Sequence, residues 1–168
     1  MDRPLPRDPI AEAQRNWARR GWDSEAAPMA AVTAIMRVQQ LLLQRIEATL
    51  RPYALTFARY ELLTLLAFTR RGELAMSRAS SLLQVHPTSV TNAVDRLQTA
   101  GLVHRSPHPV DRRTTLICLT AEGRELARRA TEALNREVFS DTGFEAADVD
   151  ALIRILARFR RQAGDFAE

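Results

Sequence analysis

Apolar residues recur at helical spacing along most of this chain, and the period changes between about 102 and 119. Met29, Val32, Ile35, Met36, Leu42, Leu43, Ile46 and Leu50 mark a helix over 28–51, with Val38 and Leu41 as extra apolar positions. That stripe is wider than one core face needs, so burial on two sides is expected, one of them against another subunit. Pro52 ends the helix. Thr56 can cap a second helix over 57–69 with Tyr60, Leu62, Leu63, Leu65, Leu66 and Phe68, and Gly72 breaks it. Ser77 can cap a short helix through Leu83. Thr120 opens a helix over 121–138, Gly143 marks a turn, and a last helix over 145–163 carries Val149, Leu152, Ile153, Leu156 and Phe159 on one face. Apolar stripes on terminal helices around a small central domain point to a helical dimer interface.

Between these helices lies a stretch of different character. Pro87 suits a first helical position, where its missing N–H costs nothing, and Gly101 suits the left-handed position after the last turn. The predicted helix runs from Pro87 to Ala100. Val90, Val94 and Leu97 fall on one stripe and pack inward. Thr88, Asn92, Asp95 and Arg96 project from the other side, flanked by Ser89 and Thr91. Short polar side chains let a helix backbone approach a groove closely; Asn can bond adenine bidentately, and Thr can bond base edges or touch a thymine methyl. The helix N-terminus favours phosphate, and Arg96 is better placed for phosphate than for bases. Asp95 repels DNA on this face unless it orients an arginine or accepts from cytosine. Read alone, this helix also fits an ordinary amphipathic helix with a solvated face.

After Gly101 the pattern becomes β-like at Leu102–Arg105 and Thr114–Leu119. The intervening loop holds Pro107 and Pro109, which prevent helix and are expected to exclude ordinary ladder pairing. Asp111 can fix the Arg112–Arg113 pair by charge and hydrogen bonding. A stiff loop carrying two arginines suits a phosphate backbone or a minor groove. Helix and hairpin together outline a winged helix-turn-helix. The fold class expected is mainly α with a small β-wing: a winged helix-turn-helix with a helical dimerisation domain. The expected division is an N-terminal extension (1–27), a dimerisation helix (28–55), the winged helix-turn-helix DNA-binding domain (56–120), and C-terminal linker and dimerisation helices (121–168). In the extension a helix over Glu12–Arg20 is expected. Trp17 and Trp22 there are read as packing elements; the other reading has one of them lining a ligand pocket or dimer seam.

Charge sharpens the picture. All 24 basic residues of this 168-residue chain are arginine, against 20 acids. From Arg70 to Arg113 there are seven arginines and only Glu73, Asp95 and Asp111, so the whole net charge of +4 lies in that segment, as do all three histidines. Such a concentration is expected of a surface that meets phosphate. With no run of 18 apolar residues no membrane span is expected, and with no apolar leader no export signal, so a cytoplasmic protein is expected. A single Cys excludes an internal disulfide framework.

The element order, together with LTFARYELLTLL, VHPTSVTNAVDRLQTAGLVHR, DRR and LTAEGRELA in register, resembles the MarR family (multiple antibiotic resistance regulators) over about 28–163. The resemblance implies a homodimer on a pseudo-palindromic double-stranded operator, usually a repressor released by a small ligand or by oxidation. It implies base-edge contacts from Thr88, Ser89, Thr91 and Asn92, phosphate contacts from Ser77 and Arg96, and wing arginines at Arg112 and Arg113 with Asp111 holding one of them. The effector it implies is aromatic or anionic.

Peroxide sensors of the family carry a reactive Cys near the first long helix. Here the thiol is Cys118 on the second wing strand, which reads as a small buried hydrophobe, so thiol sensing is disfavoured. His86, His104 and His108 lack a carboxylate or thiolate cluster; no metal and no cofactor are expected. No phosphate-binding glycine loop, zinc-protease motif or serine elbow is present, so no enzyme is expected. The competing function is a winged-helix protein–protein module without DNA binding, against which Arg112, Arg113 and the polar 88–92 face speak.

Overall fold

The computed structural model describes residues 4–111 and 113–167. The described elements run α1 (Pro9–Arg19), α2 (Asp23–Leu50), a 3-10 turn (Arg51–Tyr53), α3 (Phe57–Phe68), β1 (Glu73–Ala75), α4 (Met76–Leu83), α5 (Pro87–Thr99), β2 (Val103–Pro107), β3 (Thr115–Leu119), α6 (Ala121–Leu134), a π-helical turn (Asn135–Phe139) and α7 (Ala146–Gln162).

Local chemistry explains most boundaries. The Asp8 carboxylate accepts from Ile10 N at 2.9 Å and starts α1 three residues earlier than expected. Gly21, at φ +82°, turns the chain into α2. That helix begins at Asp23 rather than 28, with Asp23 and Glu25 in a first turn that favours negative charge. Pro28, the predicted starting point, lies inside the helix. Its missing N–H removes one bond, near the helix start, and the helix runs on. Thr56 caps α3 as expected, accepting from Arg59 N. Ser77 does not cap α4: Ala75 holds that position without a side-chain bond, and Ser77 lies within the first turn.

The sheet is antiparallel in the order β1-β3-β2. Strand β1 was not expected; three residues after Gly72 are too few to show a period, and pairing Leu74 with Ile117 is what makes them a strand. Pro107, expected to stay out of the ladder, pairs in register with Thr115. It sits at the outer end of an edge strand, where a missing donor is tolerated.

The core joins α3, α5, α6 and the sheet: Leu62, Leu63 and Leu66 meet Val90, Val94, Leu97, Val103, Ile117 and Leu134, all essentially inaccessible. Buried Ala127, Ala130 and Ala133 let α6 approach closely, and Tyr60 OH lies 3.1 Å from Thr131 Oγ1 across the α3–α6 contact. The join between sheet and α6 is tight. Thr120 Oγ1 accepts from Gly123 N at 3.0 Å, and its proton lies between the carbonyls of Gly101 and Leu102 at 2.9 and 3.0 Å. A Cβ on Gly123 would overlap the Leu102 carbonyl oxygen.

Helix α2 meets the core at its C-terminal end, while α1 packs against its start, where Ala26 is buried. Leu50 is inaccessible, and Arg45 donates to the Glu137 carbonyl at 2.7 Å and pairs with Asp141 at 3.7 Å. Toward the other end Val32, Ile35 and Met36 are more than half exposed. No unbroken run of 18 apolar residues exists, yet a window of 18 residues within Asp23–Tyr53 reaches a mean hydropathy of 1.3, and the helix is long and apolar enough to cross a membrane by length and composition. Core and interface helices of soluble proteins meet the same criterion. Helix α7 buries no residue, and Ile153 and Phe159 on its apolar face are 60% and 69% exposed. Its far end returns to the body, where Gln84 Nε2 donates to Asp165 Oδ1 at 2.6 Å and to its carbonyl at 3.0 Å. Trp17 and Trp22 meet edge-on at 5.4 Å where α1 turns onto α2, the packing role expected of them.

Candidate nucleic-acid interface

Helix α5 presents the face that its pattern predicts. Val90, Val94 and Leu97 are buried, which leaves Thr88, Ser89, Thr91, Asn92, Asp95 and Arg96 exposed. The helix starts on His86, whose Nδ1 accepts from Thr88 N at 3.2 Å, and ends on Gly101 at φ +73°. Thr91 Oγ1 donates back to the Pro87 carbonyl at 3.1 Å, which fixes its rotamer and leaves its oxygen lone pairs outward.

The wing loop is wound tightly by its own polar groups. His108 Nδ1 accepts from Val110 N at 3.3 Å and Asp111 N at 3.1 Å, and His108 N donates to the Thr114 carbonyl at 3.0 Å. Asp111 Oδ1 accepts from Arg113 N at 3.0 Å and Oδ2 from Thr114 Oγ1 at 2.7 Å. Toward Arg113 the bond runs to the backbone N–H, so Asp111 holds the turn that carries this arginine. The Thr114 hydroxyl first, then the Arg113 N–H, and to a lesser degree the charge of His108, hold its carboxyl below the usual range. Arg113 and Val110 stand exposed at the loop tip. Arg112, the other predicted wing arginine, lies outside the described residues.

Two arginines join this surface that sequence reasoning passed over. Arg59 stands in the first turn of α3, with Nε donating to Thr56 Oγ1 at 3.1 Å. It faces Ser89, Asn92 and Arg96 of α5 across a cleft of about 530 Å³. A cation in the first turn of a helix opposes the dipole, and that was the available signal. Arg105, at the root of the wing, donates from NH2 to Asp95 Oδ1 at 2.6 Å and from NH1 to Gln98 Oε1 at 2.8 Å. Asp95 therefore orients an arginine, one of the two roles under which its place on this face was acceptable. Ser77 is exposed in the first turn of α4, where backbone N–H groups lack helical partners.

Cys118 pairs across the sheet with Glu73 and His104 and is half-buried. Burial, and then the charge of Glu73, push its thiol up, which disfavours the nucleophilic thiolate. Among the described residues no cluster of three metal-binding side chains occurs. A separate groove of about 530 Å³ lies between α2, the start of α3 and α7, lined by Ile35, Leu42, Phe57, Phe144 and Leu156, with Gln39 as a polar group.

Residues 55–114 match the sequence model of the MarR family. The chain is 31% identical over 112 residues to the transcriptional regulator PapX of Escherichia coli, covering 64% of this chain and 68% of PapX. Among solved structures, Sco5413, a MarR family transcriptional regulator from Streptomyces coelicolor, is 46% identical and superposes with a TM-score of 0.76 over 84% of this chain and 99% of its own. Sco3205 from the same organism, solved in complex with DNA, is 25% identical, with a TM-score of 0.70 over 79% of this chain and 88% of its own.

Proposed function

The chain belongs to the MarR family of transcriptional regulators, and we propose that it binds a pseudo-palindromic operator duplex as a homodimer, represses in the cytoplasm, and leaves DNA when a small molecule binds. The observation that carries the proposal is the exposed file of short polar side chains on α5 beside a stiff, arginine-tipped wing, within the segment that holds the net positive charge. Thr88, Ser89, Thr91 and Asn92 would reach base edges in the major groove. Ser77 and Arg96 would position the helix on phosphates, and Arg113 with Arg112 would follow the backbone or minor groove beside it. Asp111 would act by shaping the loop that presents them.

The bare apolar faces of α2 and α7 support dimerisation, because exposed patches of this kind mark protein contacts. Residues 28–55 and 121–168 would then form the dimer scaffold and 56–120 the reading domain. The groove beside α2 has a volume typical of small-molecule sites, and its two phenyl rings favour an aromatic effector over a strongly anionic one.

The experiment is binding to the duplex upstream of the chain's own gene, with random duplex as control, across a salt series. Selective binding, two subunits per site and a footprint with half-sites about 10 bp apart or a multiple are expected. A protected region without dyad symmetry would contradict the dimer reading, and salt-insensitive binding would contradict the DNA face.

A further inference from the structure

We propose that Arg105 is a positioning residue that makes the outer face of α5 acceptable to a polyanion, by neutralising Asp95 and by pinning the root of the wing to the recognition helix. The inference rests on the duplex-binding reading above and adds a residue to it. Asp95 follows Asn92 by three positions and Thr91 by four, so it stands one turn along the same exposed face. It lines shallow clefts with Asn92 and Arg96 on one side and with Gln98 and Arg105 on the other. An uncompensated carboxylate there would meet the phosphates that the neighbouring arginines attract.

The geometry supplies the compensation from outside the helix. One guanidinium reaches Asp95 Oδ1 at 2.6 Å and Gln98 Oε1 at 2.8 Å, two acceptors three residues apart on α5. The Asp95 side chain is 55% exposed and the Arg105 side chain 29%, so the acid is the outer partner and the arginine supports it from behind. Among the described ion pairs this is the one joining α5 to the wing. Such a pair contributes little to stability at this exposure. Its effect falls on charge: the Asp95 site offers a neutral surface while Arg96 and Arg113 act as cations. The two-acceptor grip also fixes the strand from which the wing loop springs, so helix and wing meet the duplex as one unit.

The test measures affinity of the full chain for a random-sequence duplex by fluorescence anisotropy between 50 and 200 mM salt. Each phosphate charge neutralised changes the salt slope by about 0.9 and affinity at 0.15 M salt by about five-fold. Arg105→Gln is expected to weaken binding about five-fold. The double variant Asp95→Asn with Arg105→Gln is expected to recover to within about two-fold of wild type. Asp95→Asn alone frees Arg105 and is expected to tighten binding by a similar factor with a steeper slope. If the double variant stays as weak as Arg105→Gln, Arg105 contacts phosphate itself and the inference is overturned. Should Arg105→Gln fail to fold, Asp95→Asn decides alone, and an unchanged slope overturns the inference. Salt-sensitive wild-type binding with indifferent variants overturns this inference only. Absence of salt-sensitive wild-type binding overturns the duplex-binding reading together with it.

Discussion

Gly123→Ala sets two large effects against each other. Alanine in the first turn of α6 gains about 1 kcal/mol of helix propensity over glycine. Against that, its Cβ would overlap the Leu102 carbonyl oxygen and come within 2.9 Å of Leu119 Cδ1. The leucine end can rotate; the carbonyl cannot, because it accepts from Thr120 N at 3.1 Å and lies 3.0 Å from the Thr120 hydroxyl. Overpacking costs about 1–3 kcal/mol, and each hydrogen bond strained by the shift about 1 kcal/mol more. The clash is with backbone, so the upper part of that range applies, and the net loss is expected near about 3 kcal/mol. For a chain of this size that lowers Tm by about 6–12 °C. The assay is thermal unfolding followed by circular dichroism, with Gly101→Ala as the reference. Gly101, unlike the helical Gly123, has a positive φ of +73° and nothing within 4 Å of an added Cβ, so its variant bears only backbone strain, about 1 kcal/mol. A Gly123→Ala protein as stable as wild type, or less affected than Gly101→Ala, would refute the argument that close approach at Leu102 fixes α6 on the wing.

Asn92→Ala should relax discrimination between operator and random duplex, whereas Arg96→Ala should weaken both about equally, as competitive binding would show, because base contacts specify and phosphate contacts position. Asp111 titrates below its ordinary range in the folded chain. Its contribution is therefore present above the unfolded carboxylate value, about 3.9, and fades only as pH falls through the lower folded value. The Arg113 amide resonance should report this, and Thr114→Val, which removes the first-ranked hydrogen bond, should move the transition toward higher pH. Cys118 should react with a thiol reagent more slowly at pH 8 than a free cysteine peptide does, since burial and Glu73 raise its pKa. Equal rates would contradict the sheet environment described for it.

Local signals carried much of this fold. The ends of α5 were legible because Pro87 and Gly101 each have a backbone reason to stand where they do, and its buried face because Val90, Val94 and Leu97 keep the helical period. The wing strands were legible from the change of period, and Thr56 and Thr120 from their capping chemistry. What escaped was set by distant partners. Three residues become β1 because β3 lies beside them. Arg105 completes the α5 face from ten residues beyond Asp95, and Arg59 reaches it from another helix. The start of α2 was misplaced because its apolar period begins only at Met29, although the helix opens at Asp23 and carries Pro28 near its start at the loss of one bond.

The place of β2 in the sheet has a consequence for how many copies can crowd one stretch of DNA. Its outer edge pairs with nothing in the described sheet, and an open edge is a template on which another chain can lay a strand. Here that edge is five residues long and closes on Pro107, with the loop beyond it folded back by His108 and Asp111. A visiting strand would run out of donors and into that loop within a few residues. Neighbouring wings can therefore lie close together on a duplex without zipping into a continuous sheet.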